Sequence, residues 1–131
     1  MPSLFEQPLH LGPEGAVTVE PVFDSPGWYE GYDARHGADG IEGRLVSRYA
    51  FHASWDSWEM HPAGDEVVLC IAGTLTLIQE YPDGRIERTV LGAGEYAINP
   101  PGVWHTADLA EGETADCVFI TTGMGTEHRG R

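Results

Sequence analysis

From residue 43 onward, apolar and polar positions alternate in short runs. "GRLVSRYAFH", "SWDSWEMH", "DEVVLCIAG", "TLTLIQEY", "GRIERTVL", "GEYAINP", "VWHTADL" and "TADCVFITTG" are eight segments of strand length. Turn-forming residues separate most of them, in "HPAGDE", "YPDGR", "LGAGE", "NPPGVW" and "LAEGET". "PDG" between two alternating runs predicts a hairpin. Evenly spaced short strands with such turns predict an all-β sandwich or barrel. Upstream, "AVTVEPVF" and "GWYEGYDARHG" read as short extended pieces broken by Pro and Gly. The predicted layout is therefore an N-terminal flank over 1–42 packed on the main barrel, the barrel over 43–122, and a tail over 123–131. The tail, "TTGMGTEHRGR", is expected to be a loop packed over the barrel or a frayed end.

The period of two also sorts side chains by face. In "SWEMH", Ser57, Glu59 and His61 share one face, and Trp58 and Met60 take the other. In "EVVLCIA", Glu66 shares a face with Val68 and Cys70. An acid at the head of an apolar strand is costly unless something pairs with it. A partner stands in "GAGEYAINPPGVWHTADL", where a Pro-Gly turn delivers His105 onto the start of the following strand.

Together these two segments resemble the cupin superfamily. The first cupin motif, G-x5-HxH-x3-4-E-x6-G, is matched at His61, Glu66 and Gly73. The second, G-x5-PxG-x2-H-x3-N, is matched at Gly94, Pro100, Gly102 and His105. The chain departs from the pattern at Ala53 (for Gly), Glu59 (for the first His) and Leu109 (for Asn). The resemblance implies a single-domain jelly-roll β-barrel with a site in its mouth. The family's ligand positions, carried over one by one, are Glu59, His61, Glu66 and His105. Each can donate a lone pair, and two carboxylates cancel the charge of one divalent cation, which suits Fe, Mn, Zn or Ni. Glu59 has alternatives: a group beside the ligand set, a general base, or a partner of Arg48 in a metal-free site. Trp55, His52 and Cys70 are the candidates for the pocket wall. Trp58 and Trp104 are expected to face away, and His10, His36 and His128 lie in flanks without matching spacing.

Composition narrows the function. The chain has 131 residues, enough for one hydrophobic core, with 17 Gly and 9 Pro that favour strands and turns. Its formal charge is −14 with no lysine, which argues against nucleic acid or anionic membrane as a partner and enriches cations nearby. Schiff-base chemistry is excluded, and no G-x-S-x-G, GxGxxG or P-loop occurs. Cys70 and Cys117 lie in apolar runs and read as buried thiols rather than a disulfide. Without a secretory-type start or a long apolar run, the cytoplasm is the expected compartment. A homodimer binding a small molecule is expected. The resemblance suggests dioxygenase, isomerase or decarboxylase chemistry; a non-catalytic sensing domain and a metal-free sugar-modifying cupin are the alternatives.

Overall fold

The computed structural model describes residues 1–131. In chain order the elements are β1 (Leu9–Leu11), β2 (Val17–Val19), α1 (Trp28–His36), β3 (Arg44–Phe51), β4 (Ser57–Met60) and β5 (Glu66–Glu80). They continue with β6 (Ile86–Gly92), β7 (Tyr96–Asn99), β8 (Trp104–Asp108), β9 (Ala115–Thr121) and β10 (Glu127–Gly130). β5 organises them. The sequence suggests two strands, "DEVVLCIAG" and "TLTLIQEY", yet they form one strand of 15 residues. No turn residue follows Gly73, so the chain bends without breaking, through an irregularity between Cys70 and Ala72. Gly73 has φ 75°, and a Cβ there would overlap the Thr114 carbonyl oxygen, so the bend requires glycine.

That bend folds the sheet back on itself. The first half of β5 pairs with β7 and β9, and the second half pairs with β6 and β8. Every pairing is antiparallel, and the order β10-β4-β8-β5-β9-β3-β1-β2 closes an all-β jelly-roll. The inward parity fills the barrel. Val68, Cys70, Leu75, Leu91, Ala107, Ala115, Cys117 and Phe119 form one buried cluster, with Tyr49, Phe51 and Trp55 packed against it. Each fully buried aliphatic side chain of this kind is worth about 1.5–3 kcal/mol. Cys70 and Cys117 face each other across the ladder as free thiols. Burial, and then the neighbouring Cys70, push the Cys117 thiol up to about 12.

Two segments depart from expectation. "GWYEGYDARHG" is not extended, because α1 spans Trp28–His36. Tertiary contacts hold this helix: Trp28 is buried and its indole Nε1 donates to Pro21 O at 3.0 Å. Tyr32, one turn on, stacks over Trp28, and Arg35 and His36 reach the buried carboxylate of Glu20. Positions 28, 32, 35 and 36 form one helical face, a spacing hidden among glycines. The tail is a loop over residues 122–126, as expected, but then forms a strand. β10 pairs antiparallel with β4, setting His128 opposite Glu59. No helix is long and apolar enough to cross a membrane.

Candidate metal centre

The barrel's two layers bring the motif residues together from different strands. On one layer Glu59 of β4 stands directly opposite His105 of β8, which in turn pairs with Gln79 of β5. On the other, Glu66 at the head of β5 lies between Asn99 of β7 and Thr121 of β9. His61 follows β4 immediately, and the Pro100–Val103 turn beneath it returns Gly102 N–H to His61 O at 3.2 Å. One ligand-capable atom from each of Glu59, His61, Glu66 and His105 lies within 4.8 Å of all the others.

The finer distances suit either imidazole–carboxylate ion pairs or atoms around a common cation. His61 Nε2 stands 3.0 Å from both Glu59 Oε1 and Glu66 Oε2. His105 Nε2 stands 3.4 Å from Glu59 Oε1 and 3.2 Å from Glu66 Oε1. Atoms bound to one ion at about 2.1 Å stand roughly 3.0–3.4 Å apart in octahedral or tetrahedral arrangements. Both Nε2 atoms are buried and face no polar group other than these carboxylates.

Surrounding groups fix how these side chains point. Glu66 is 2% exposed. Its Oε1 accepts from Asn99 Nδ2 at 3.0 Å and its Oε2 from the Thr121 hydroxyl at 2.6 Å. Asn99 is held in turn by Gln79, whose Nε2 donates to Asn99 Oδ1 and to Ile98 O, each at 2.8 Å. On the other side, the Thr126 hydroxyl donates its single proton to Gly123 O at 2.8 Å. Its 2.8 Å contact with His61 must therefore be a bond donated by Nδ1–H. Nε2 of His61 then faces two carboxylates either as a bare lone pair or as N–H of an imidazolium. A positive charge, proton or metal, is required between them.

The electrostatics follow from that geometry. Burial opposes charging at Glu59, but the His105 and His61 imidazoles outweigh it and hold the carboxyl well below the usual range. Burial also opposes charge on His61, yet Glu59 and Glu66 together push it up to about 9. Glu59 has a further contact, because His128 Nε2 lies 2.8 Å from its Oε2.

A cavity of about 830 Å³ opens over this cluster and is lined by Glu59, His61 and Glu66 among others. Trp55 also lines it, its ring set edgewise to His105 at 5.9 Å between centroids. Two other pocket candidates do not line it. His52 is exposed: Tyr49 and Phe51 carry the inward parity of β3, which turns residue 52 outward. Cys70 shares the face of Glu66 but sits deeper, in the closed core, with its thiol on Ala72 O at 3.4 Å. Trp58 and Trp104 lie outside the cavity, with the Arg129 guanidinium over both rings. Arg48 does not pair with Glu59, because it points outward and its Nε donates to Asp116 at 2.7 Å.

Several participants escape motif spacing. Gln79, Asn99 and Thr121 were detectable only as polar residues at core-facing parity. His128 arrives on β10 and Thr126 in the loop just before it, and Tyr29, Tyr32 and Asp33 line the cavity from α1. A second cluster, His10, His36 and Asp39, lies in the flank. Both nitrogens of His10 are engaged there, by Tyr32 and by Asp39, each at 2.6 Å, so the group ties α1 to β1.

The family profile described as the cupin domain matches residues 46–123. Among solved structures, an oxalate oxidase is similar with a TM-score of 0.55 at 19% identity, covering 63% of this chain and 44% of that one. The present chain thus spans less than half of that protein's length. An uncharacterized conserved protein with a double-stranded β-helix domain, from Klebsiella pneumoniae subsp. pneumoniae, has a TM-score of 0.55 at 24% identity and coverages of 67% and 76%. The coconut allergen cocosin has a TM-score of 0.60 at 14% identity, covering 75% of this chain and 26% of its own. At such identities the likeness is one of fold. The comparison with curated protein sequences finds no match.

Proposed function

The chain belongs to the cupin superfamily, and on that premise we propose that it is a metal-binding cupin acting on a small oxygenated organic molecule in the barrel mouth. The metal would be one divalent transition ion held by Glu59, His61, Glu66 and His105. The observation that carries this reading is the convergence of two buried imidazole Nε2 atoms and two carboxylates at 3.0–3.4 Å in the cavity. An ion there supplies a Lewis acid for oxygen atoms of a bound molecule. The chain's own groups do the rest. Thr126 fixes the His61 ring, and Asn99 and Thr121 fix Glu66.

A metal-free reading has one observation in its favour: the contacts of Glu59 with both His61 and His128 would serve as an acid/base relay. Metal analysis separates the two. Protein purified without chelator or nickel resin should carry stoichiometric metal, lost in both His61→Ala and His105→Ala. Full activity of metal-free protein would overturn the metal reading. Turnover with small diketones, phenols or keto acids distinguishes an enzyme from a sensing domain.

The reading includes a cytoplasmic homodimer. Across the outward face, Ile98, Val67, Ile120, Val46, Leu9 and Val19 line up in register over six strands as an unbroken aliphatic row. On a chain of charge −14, a second copy can approach closely only across a surface without acids. Sedimentation of Val67→Glu against the unaltered chain tests it: the variant should be monomeric where the unaltered chain is a dimer, and a monomeric unaltered chain overturns it.

A further inference from the structure

Two features of the cavity wall bear on what it admits, and they point the same way. The first is charge. Four carboxylates line the cavity, those of Asp33, Asp56, Glu59 and Glu66, and no arginine does. Lysine is absent from the whole chain. A divalent ion on Glu59 and Glu66 leaves Asp33 and Asp56 uncompensated at the rim. His128, which lines the cavity, is already engaged by Glu59. An anionic ligand would enter against the rim charge and the field of the whole molecule, and apart from the ion itself the wall offers no guanidinium or ammonium to receive it.

The second is aromatic surface. Tyr49, Phe51, Trp55 and Phe119 run along one wall as a connected set, with neighbouring centroids 5.3–6.1 Å apart. Tyr29 extends the set from α1, its hydroxyl bonded to that of Tyr49. Two phenols sharing one hydrogen bond keep one O–H and several lone pairs for a ligand. Burial first, then Tyr49 and the charges of Glu59 and Glu66, hold Tyr29 above its ordinary value, so it stays a neutral phenol. Rings stack on rings, and a cation gains from the same faces.

We propose that the cavity selects an aromatic ligand carrying hydroxyl or alkylamino groups and no negative charge, a phenol or arylalkylamine, and rejects carboxylates. The inference rests on the cavity being the small-molecule site of the proposed function, and it specifies the substrate class. It also separates this chain from any dicarboxylate chemistry that a fold likeness to an oxalate oxidase would suggest.

The test compares catechol, 3,4-dihydroxybenzylamine, 3,4-dihydroxybenzoate and oxalate by calorimetry and by quenching of tryptophan fluorescence, on metal-loaded and metal-free protein. The amine and catechol should bind about tenfold or more tightly than the benzoate, and oxalate should show no saturable binding. The doubly neutralised variant Asp33→Asn/Asp56→Asn should narrow the amine-to-benzoate ratio by about threefold or more while the fold is retained. Tyr29→Phe should weaken catechol without altering metal content. The benzoate binding as tightly as the amine, oxalate binding more tightly than catechol, or no saturable binding of either favoured probe would overturn the proposal. Metal stoichiometry on the same samples keeps the two readings apart. The expected ranking in protein that binds no metal would sink the metal reading alone, and a carboxylate preference in metal-loaded protein would sink this one alone.

Discussion

Replacing Asn99 with alanine tests the site where fold and function meet. The amide donates to Glu66 Oε1 at 3.0 Å and accepts from Gln79 Nε2 at 2.8 Å, and all three side chains are buried. Its removal takes a donor from a buried carboxylate, worth about 1.5–3 kcal/mol, and a neutral hydrogen bond, worth about 1 kcal/mol. Gln79 keeps its bond to Ile98 O, and Glu66 keeps Thr121, so the loss stays near the lower half of the sum, about 3 kcal/mol. For a chain of this size that lowers Tm by roughly 10 °C. Because Asn99 also sets the direction of Glu66, metal affinity should fall about 10–100-fold. Calorimetric unfolding of metal-free protein reads the first effect, and competition for zinc against a chromophoric chelator reads the second. Gln79→Ala, one bond further out, should give the same signs with a smaller loss of affinity. An Asn99→Ala protein that melts early yet binds zinc with unchanged affinity would refute the reasoning, because Glu66 would then not be a ligand.

Other expectations follow from the same geometry. Thr126→Val removes the acceptor of His61 Nδ1 and should weaken metal binding about tenfold with little change in Tm, while Thr126→Ser restores it; unchanged affinity in the valine variant refutes the assignment. In metal-free protein the folded-state value of His61, about 9, lies above its ordinary 6.5, so its contribution is full below pH 6.5 and is lost as pH rises through 9. That contribution is about 3 kcal/mol. Glu59 is depressed below 4.5, so its contribution is present above that pH and lost on acidification. Metal-free protein should therefore melt highest between pH 4.5 and 6.5, and a Tm flat from pH 6 to 9.5 would contradict the ion-pair geometry. Cys70 and Cys117 should resist a thiol reagent at pH 8 in the native state and react on unfolding, as burial and the raised Cys117 value require.

The barrel was legible because a period of two is imposed locally and survives along every strand. The four candidate ligands were legible because two motif spacings place them at strand mouths, and in the structure they do meet. What was hidden depended on pairing between distant segments. α1 is held by the contacts of Trp28 and by Glu20, not by helix propensity, and its glycines mask the spacing of its buried face. β5 looked like two strands because Gly73 reads as a turn when its partner Thr114 is unknown. His52 and Cys70 share a proper neighbourhood in sequence, but strand parity and depth direct one to solvent and the other to the core.

The division between legible and hidden residues also marks where family and individuality separate. The cupin match covers 46–123 and contains all four candidate ligands with Asn99 and Thr121. Thr126 and His128 lie beyond it, in the loop before β10 and on β10 itself, and Tyr29, Tyr32 and Asp33 lie before it, on the helix at the barrel mouth. The barrel thus provides the charged cluster, the aromatic wall of Tyr49, Phe51, Trp55 and Phe119 and the acid Asp56, and the flanks add Tyr29, Tyr32, Asp33, Thr126 and His128 to the same cavity. Because Glu59 is gripped from both sides, by His61 and His105 within the barrel and by His128 from the tail, the substitution that distinguishes this chain from the family motif joins the two regions. Fold likeness at 14–24% identity does not carry substrate choice, since part of the cavity wall, Tyr29, Tyr32, Asp33, Thr126 and His128, lies outside the matched region.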